Sequence, residues 1–294
     1  MEKTFYLCIK IIFMSHIRLG KYNQLKVVKE VDFGVYLDGD EDGEILLPKR
    51  YVPQGCVTGD MLNVFIYLDM DERLVATTLQ PYVQVGEFAC LEVAWVNQYG
   101  AFLNWGLMKD LFVPYREQKA KMVKGGRYIV YVYVDEESYR IVASAKVEHF
   151  LSKEHPVYEA GEEVDALVWQ RTDLGYKVIV DNKFGGMLYH NEVFQPLSPG
   201  KRVQAYVKQV REDGKIDLAL QKAGFGKVDD FAETLLQYIE NQGGFTTMHD
   251  KTDAALIYNT FGVSKKTFKK AVGDLYKKRL IVLEKEGIRL VPQD

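Results

Sequence analysis

Two short stretches set aromatic residues around a glycine. "DFGVYL" places Phe33 and Tyr36 about Gly34, and "QYGAFL" places Tyr99 and Phe102 about Gly100. Rings held side by side and open to solvent are what unpaired nucleobases stack on, a contact worth about 1–3 kcal/mol per base by alanine substitution. A third stretch, "DLGYKV", keeps the glycine as Gly175 but carries Leu174 and Lys177 instead of rings, with Tyr189 and His190 further on as substitutes. A cation near stacked bases meets the nucleic-acid backbone, and Arg73, Arg140 and Lys215 occupy equivalent downstream positions. Trp95 lies near the middle pair, so the middle copy is expected to contribute most. The competing reading packs these rings into a core or between neighbouring modules.

A second candidate is basic. Seven cationic residues fall between Lys265 and Arg279 against one acid, Asp274. Lys265, Lys266, Lys269 and Lys270 open that run and are candidates for phosphate contact, because a helix N-terminus also favours anions. With no Arg, Asn or Gln in the first turns, phosphate contact rather than base reading is expected. A solvated lysine face beside a core stripe is the plain alternative.

Other chemistry is poorly supported. "DGDEDGE" from Asp38 imitates a calcium loop, but its twelfth position is Lys49 where a bidentate Glu is needed. It reads as an acidic inter-strand loop. Cys8, Cys56 and Cys90 are far apart and form no metal or redox spacing, which suggests a reducing compartment. "GFGK" from Gly224 reads as a linker rather than a phosphate cradle. No enzyme, metal or cofactor is expected.

The elements that must position these residues repeat. Thirteen residues after Gly34, Gly100 and Gly175 come Leu47, Val113 and Leu188, each in a short apolar run. Twelve further on stand Gly59, Gly125 and Gly200, and each copy closes in an alternating hairpin with the turns "DMDE", "DEES" and "REDG". Each copy therefore holds about five short strands, and closure into a small barrel hides their edges. A bulge at the glycine is expected to turn both rings of a pair to one face. "VEHFLSKEHP" reads as a short helix ending before Pro156.

The remainder is helical. "DDFAETLLQYIENQGG" aligns Phe231, Leu235, Leu236 and Ile239 on one face; "DKTDAALIYNTFGV" stops near Gly262; and "SKKTFKKAVGDLYKKRL" is capped by Ser264 and buries Phe268, Val272 and Leu275. "IVLEKEGIRLV" then makes a hairpin turning at Glu286–Gly287. The fold class is mainly β with a C-terminal α/β part: three tandem five-stranded barrels, then a winged helix-turn-helix by analogy of pattern. Expected boundaries are 18–80, 81–146, 157–221 and 226–294. Residues 1–17 form an N-terminal extension, with Met14 the expected natural start. The net charge of −3 argues against bulk positive attraction to nucleic acid. No run is long enough to span a membrane, so a cytoplasmic location is expected.

"DFGVYL" and "QYGAFL", followed by "EILLP" and "DLFVP", resemble the ribosomal protein S-one type RNA-binding domain, which implies that the three five-stranded barrels are OB-folds. Three such domains plus a winged helix, over nearly the whole chain, resemble the conserved virulence factor B family of Gram-positive bacteria. The resemblance implies a non-enzymatic protein that binds single-stranded RNA and acts in post-transcriptional, virulence-related control. The family's RNA-contacting histidine falls here at Pro48, Pro114 and Tyr189, so the first two copies lose that contact. Two alternatives stay open: a regulator that binds duplex DNA through the winged helix, and a scaffold for the ribosome or RNA-decay proteins.

Overall fold

The computed structural model describes residues 17–190, 193, 197–220 and 228–291. The expected N-terminal start, Cys8 and the "GFGK" linker lie outside them. The chain divides into two compact units, Met1–Phe150 and Leu151–Asp294.

The first unit holds two closed barrels. One is built from β1 (Tyr22–Val31), β2 (Gly34–Asp38), β3 (Glu44–Pro48), β4 (Met61–Leu68) and β5 (Leu74–Thr77). The other is built from β6 (Phe88–Val96), β7 (Gly100–Asn104), β8 (Leu111–Pro114), β9 (Arg127–Val134) and β10 (Ile141–Ser144). The second unit opens with a third barrel: β11 (Glu163–Arg171), β12 (Gly175–Val180), β13 (Phe184–Tyr189), β14 (Arg202–Val210) and β15 (Ile216–Ala219). Each barrel runs first–second–third–fifth–fourth, and its one parallel seam joins the third strand to the fifth.

The repeated spacings have physical causes. Gly34, Gly100 and Gly175 each open the second strand opposite the end of the third. A Cβ there would stand 2.2 Å from the Leu47 carbonyl oxygen, 2.2 Å from that of Val113 and 2.1 Å from that of Leu188. These are the residues thirteen places on, so the glycine exists to let two strands approach. Gly59, Gly125 and Gly200 sit at φ of 105°, 76° and 93°. Their amides bond the carbonyls of Val27, Val93 and Val168 at 2.8, 2.8 and 2.7 Å, which ties the loop back to the first strand.

The expected bulge is present but misplaced. The register shifts between Val27 and Lys29, Val93 and Trp95, and Val168 and Gln170, in the first strand of each barrel rather than at the glycine. Phe33 and Tyr99 lie in the turn just before their strands, where pleat alternation does not operate. Their carbonyls accept from Lys49 and Tyr115 amides at 2.8 and 3.2 Å, fixing the turn to the segment after the third strand. The expected helix before Pro156 is only a 3-10 turn, Val147–His149. Phe150 then stacks on Tyr131, which ends the turn against β9.

The C-terminal domain contains α1 (Val228–Asn241), β16 (Phe245–Thr246), α2 (Ala254–Phe261), α3 (Lys265–Lys277), β17 (Ile281–Glu284) and β18 (Gly287–Leu290). Phe231, Leu235, Ile239, Ile257, Phe268, Val272 and Leu275 form its core. Asp253 caps α2 through the Ala255 amide, Gly262 ends it in the left-handed region, and Ser264 caps α3 through the Thr267 amide. The hairpin turns at Lys285–Glu286, one residue earlier than expected. Gly287 instead opens the return strand, because a Cβ there would meet the Thr246 carbonyl at 2.1 Å.

Candidate nucleic-acid interface

In the middle barrel Phe102 points outward from β7, between buried Ala101 and Leu103. Its neighbours in register are Trp95 on β6 and Phe112 on β8. Trp95 lies flat on Phe102, with centroids 3.7 Å apart and planes within 2°, and Phe102 meets Phe112 at 4.9 Å. Three adjacent strands thus carry one row of rings. The Trp95 indole donates to Asp110 at 2.8 Å, which holds the ring flat while leaving it 43% exposed. Tyr99, 65% exposed, borders the same surface.

The other barrels fill the equivalent row differently. The first presents Lys29, Tyr36 and Leu46. Phe33 and Tyr36 meet edge to face at 6.3 Å, and the Lys29 ammonium lies 5.6 Å from the Tyr36 ring. The third presents Gln170, Lys177 and Met187. Lys177 lies over Trp169 at 5.3 Å, Leu174 is exposed, and His190 faces Tyr176 edge to face while its Nε2 contacts the Thr172 carbonyl at 3.0 Å. Tyr189 is half-buried opposite Gly175. Pro48, Pro114 and Tyr189 are indeed register partners of the three glycines.

Each candidate barrel cation already holds a carboxylate. Arg73 bonds Asp69 at 2.9 Å and Asp71 at 2.9 Å. Burial pushes the Asp69 carboxyl up, but hydrogen bonds from Arg73 and the Asp71 amide outweigh it and hold it below the ordinary range. Lys215 bonds Asp213 at 2.7 Å, and Arg140 pairs with Glu72. Phosphate contact by these three therefore requires exchange of one anion for another, which lowers their worth.

Glu72 comes from the first barrel, and so does one wall of the middle barrel's surface. β4 buries Val64, Phe65, Ile66 and Tyr67 in succession. Val64 and Ile66 enter the first barrel's core, while Phe65 and Tyr67 enter the middle barrel's. Phe65 meets Trp105 edge to face at 5.7 Å. The Lys109 ammonium donates to the Asp69 carbonyl at 2.6 Å, and desolvation lowers its pKa. These contacts bound a cleft of about 840 Å³ with the aromatic row on one side and the β4–β5 hairpin on the other. Met70, Met108, Lys109, Asp110 and Phe112 were not anticipated from sequence. The available signal was the unbroken apolar run Val64–Leu68, the mark of a strand buried on both faces.

In the C-terminal domain α3 buries Phe268, Ala271, Val272 and Leu275 and exposes Lys266, Lys269, Lys270 and Lys277, with Lys265 half-buried. Lys266, Lys269 and Lys270 have no ion pair among the described residues. Among those residues no group of three His, Cys, Asp or Glu gathers to hold a metal, and no helix is long and apolar enough to cross a membrane.

Three barrels, two of them with outward rings at the same strand positions, and a winged helix with a basic third helix define a multidomain protein built from nucleic-acid-binding modules. The S1 domain family, the S-one type barrel expected from sequence, matches residues 19–79, and the CvfB-like winged helix domain family matches residues 233–290. An uncharacterized protein, YitL of Bacillus subtilis, is 30% identical over 272 residues, covering 88% of this chain and 89% of its own length. Conserved virulence factor B of Staphylococcus aureus is 22% identical over 239 residues, covering 79% and 80%. A crystal structure of a multidomain protein with nucleic acid binding domains from Streptococcus pneumoniae is 26% identical, with 93% of this chain and 98% of that one covered and a TM-score of 0.41. The chain belongs to the conserved virulence factor B family.

Proposed function

We propose that the chain binds single-stranded RNA and regulates gene expression after transcription, without catalysing a reaction. The observation that carries this reading is the Trp95–Phe102–Phe112 row, which offers an open indole face beside Tyr99. Stacking on such a face suits any unpaired base and is denied to a duplex whose bases are already stacked. Phe33, Tyr36 and Lys29 form a weaker platform of the same kind, and Lys177, Tyr189 and His190 a third. A cytoplasmic location goes with this reading, whereas docking on the ribosome or RNA-decay proteins belongs to the alternative in which the chain is a scaffold. Trp95→Ala tests it. Anisotropy of a labelled single-stranded RNA should show affinity about tenfold lower, the value of roughly 1.4 kcal/mol of lost stacking. Parent-like affinity would overturn the assignment.

The unpaired lysines of α3 favour a second reading, contact with duplex DNA by the winged helix. Competition between single-stranded RNA and duplex DNA for the full chain separates the two, with RNA preferred on the first reading and duplex on the second.

A further inference from the structure

We infer that the cleft beside the aromatic row is a composite nucleobase site, in which the first barrel's β4–β5 hairpin forms a wall of the middle barrel's site. The inference rests on the RNA reading above and names where and how a base is held. A cleft of about 840 Å³ falls within the range of sites that enclose an organic ligand. Its walls are chemically unlike. One is the flat row ending in Trp95. The other carries Tyr67, Leu68 and Met70, with Met108 at the margin. Met70 and Met108 are 77% and 62% exposed, unusual for apolar side chains, and a thioether adapts to the edge of an aromatic ring.

The charges define the occupant. The cleft is lined by Glu72, Asp110 and Asp135 and by Lys109, Arg116 and Arg140, three of each sign. Arg140 pairs with Glu72, Arg116 lies 3.4 Å from Asp135, Lys109 donates to the Asp69 carbonyl, and Asp110 accepts from the Trp95 indole. Both arginines are matched by carboxylates, the lysine is turned onto a carbonyl, and the lining charges balance, which disfavours phosphate. Such a surface suits a neutral, flat ligand with hydrogen-bonding edges, and a nucleobase is that ligand. Glu72 and Lys109 also tie the hairpin to the middle barrel, so the wall is held in place before a base arrives.

The test uses the full chain and the anisotropy of a labelled RNA hexamer, alone and in competition with AMP. Met70→Glu, on an exposed turn outside both cores, should weaken hexamer binding at least tenfold. Met61→Glu, exposed on the same barrel but not lining the cleft, should bind as the parent and so controls for added charge. If Met70→Glu binds normally while Trp95→Ala is weak, the middle barrel works alone, and the composite site falls while the RNA reading stands. If both bind normally, both fall. Equal weakening by the two glutamates also overturns the site. A hexamer much tighter than AMP places the base in a strand, whereas equal affinity places it in a free nucleotide. Binding of neither overturns the proposal.

Discussion

A methyl group's worth of space decides whether each barrel closes. At Gly100 a Cβ would collide with a backbone oxygen, which cannot swing aside as a side chain would. Gly100→Ala is therefore expected to cost about 3 kcal/mol, the upper part of the overpacking range, read as a lower denaturant midpoint. Gly262→Ala is the control. Its φ of 69° and ψ of 11° are left-handed but a Cβ there meets nothing within 4 Å, so only the backbone is strained, at about 1 kcal/mol. Protonation acts at the same scale. The Ser138 hydroxyl, 2.6 Å from Asp135, leads the contacts that hold this carboxyl below its ordinary range. A depressed carboxylate stabilises the fold fully above its unfolded pKa, near about pH 4, and that share is lost as pH falls through the folded value. Ser138→Ala should move the Asp135 midpoint upward in an NMR titration; an unmoved midpoint would assign the depression to other neighbours.

The first barrel's β4 behaves unlike its counterparts because it serves two cores. Phe65 is fully buried between Tyr22 and Trp105, and its loss should cost about 3–5 kcal/mol. The location of the damage is the sharper prediction. In Phe65→Ala, amide exchange should accelerate at Val130 of the middle barrel as well as at Val64 of the first, while α3 keeps its protection. Exchange confined to the first barrel would show that the two cores melt separately. The same strand shows what was legible beforehand. The repeated glycines announced three barrels, because the thirteen-residue spacing is a close backbone approach and the second glycine of each copy ties its loop back to the first strand at a φ that favours glycine. The amphipathic stripes of α1 and α3 announced the helices, and Ser264 its cap. The sequence alone does not separate a glycine that permits close approach from one that marks a bulge, since both leave the same residue, and here the bulge lies in the first strand. The pairing of Trp95 with Phe102 depends on where the first strand bulges, and nothing in the local pattern marks Ala94 as the extra residue. Phe112, Met70 and Met108 depend on cross-strand register or on two barrels sharing a core, which no single repeat encodes.

At the scale of the whole molecule, exposed rings and unpaired positive charge lie on different modules. The chain is acidic overall, and the segment 14–80 carries 7 basic residues against 11 acidic ones. Arginines around the middle barrel's cleft are matched by carboxylates, so binding at the proposed site should release few counterions. Lys266, Lys269 and Lys270 are exposed on α3 without such partners, so contact there should release them. The two contributions separate in a plot of log affinity against log salt for single-stranded RNA. Trp95→Ala should lower the line at every salt concentration and leave its slope unchanged. Replacing the three lysines by Gln should flatten the slope by on the order of one per lysine and spare affinity at high salt. The reverse pattern, with Trp95→Ala flattening the slope, would mean that the aromatic row orders a phosphate contact instead of holding a base. If the lysine variant changed nothing with RNA but weakened duplex DNA, α3 would serve a second nucleic acid, and the acidic barrels would bind RNA by stacking alone.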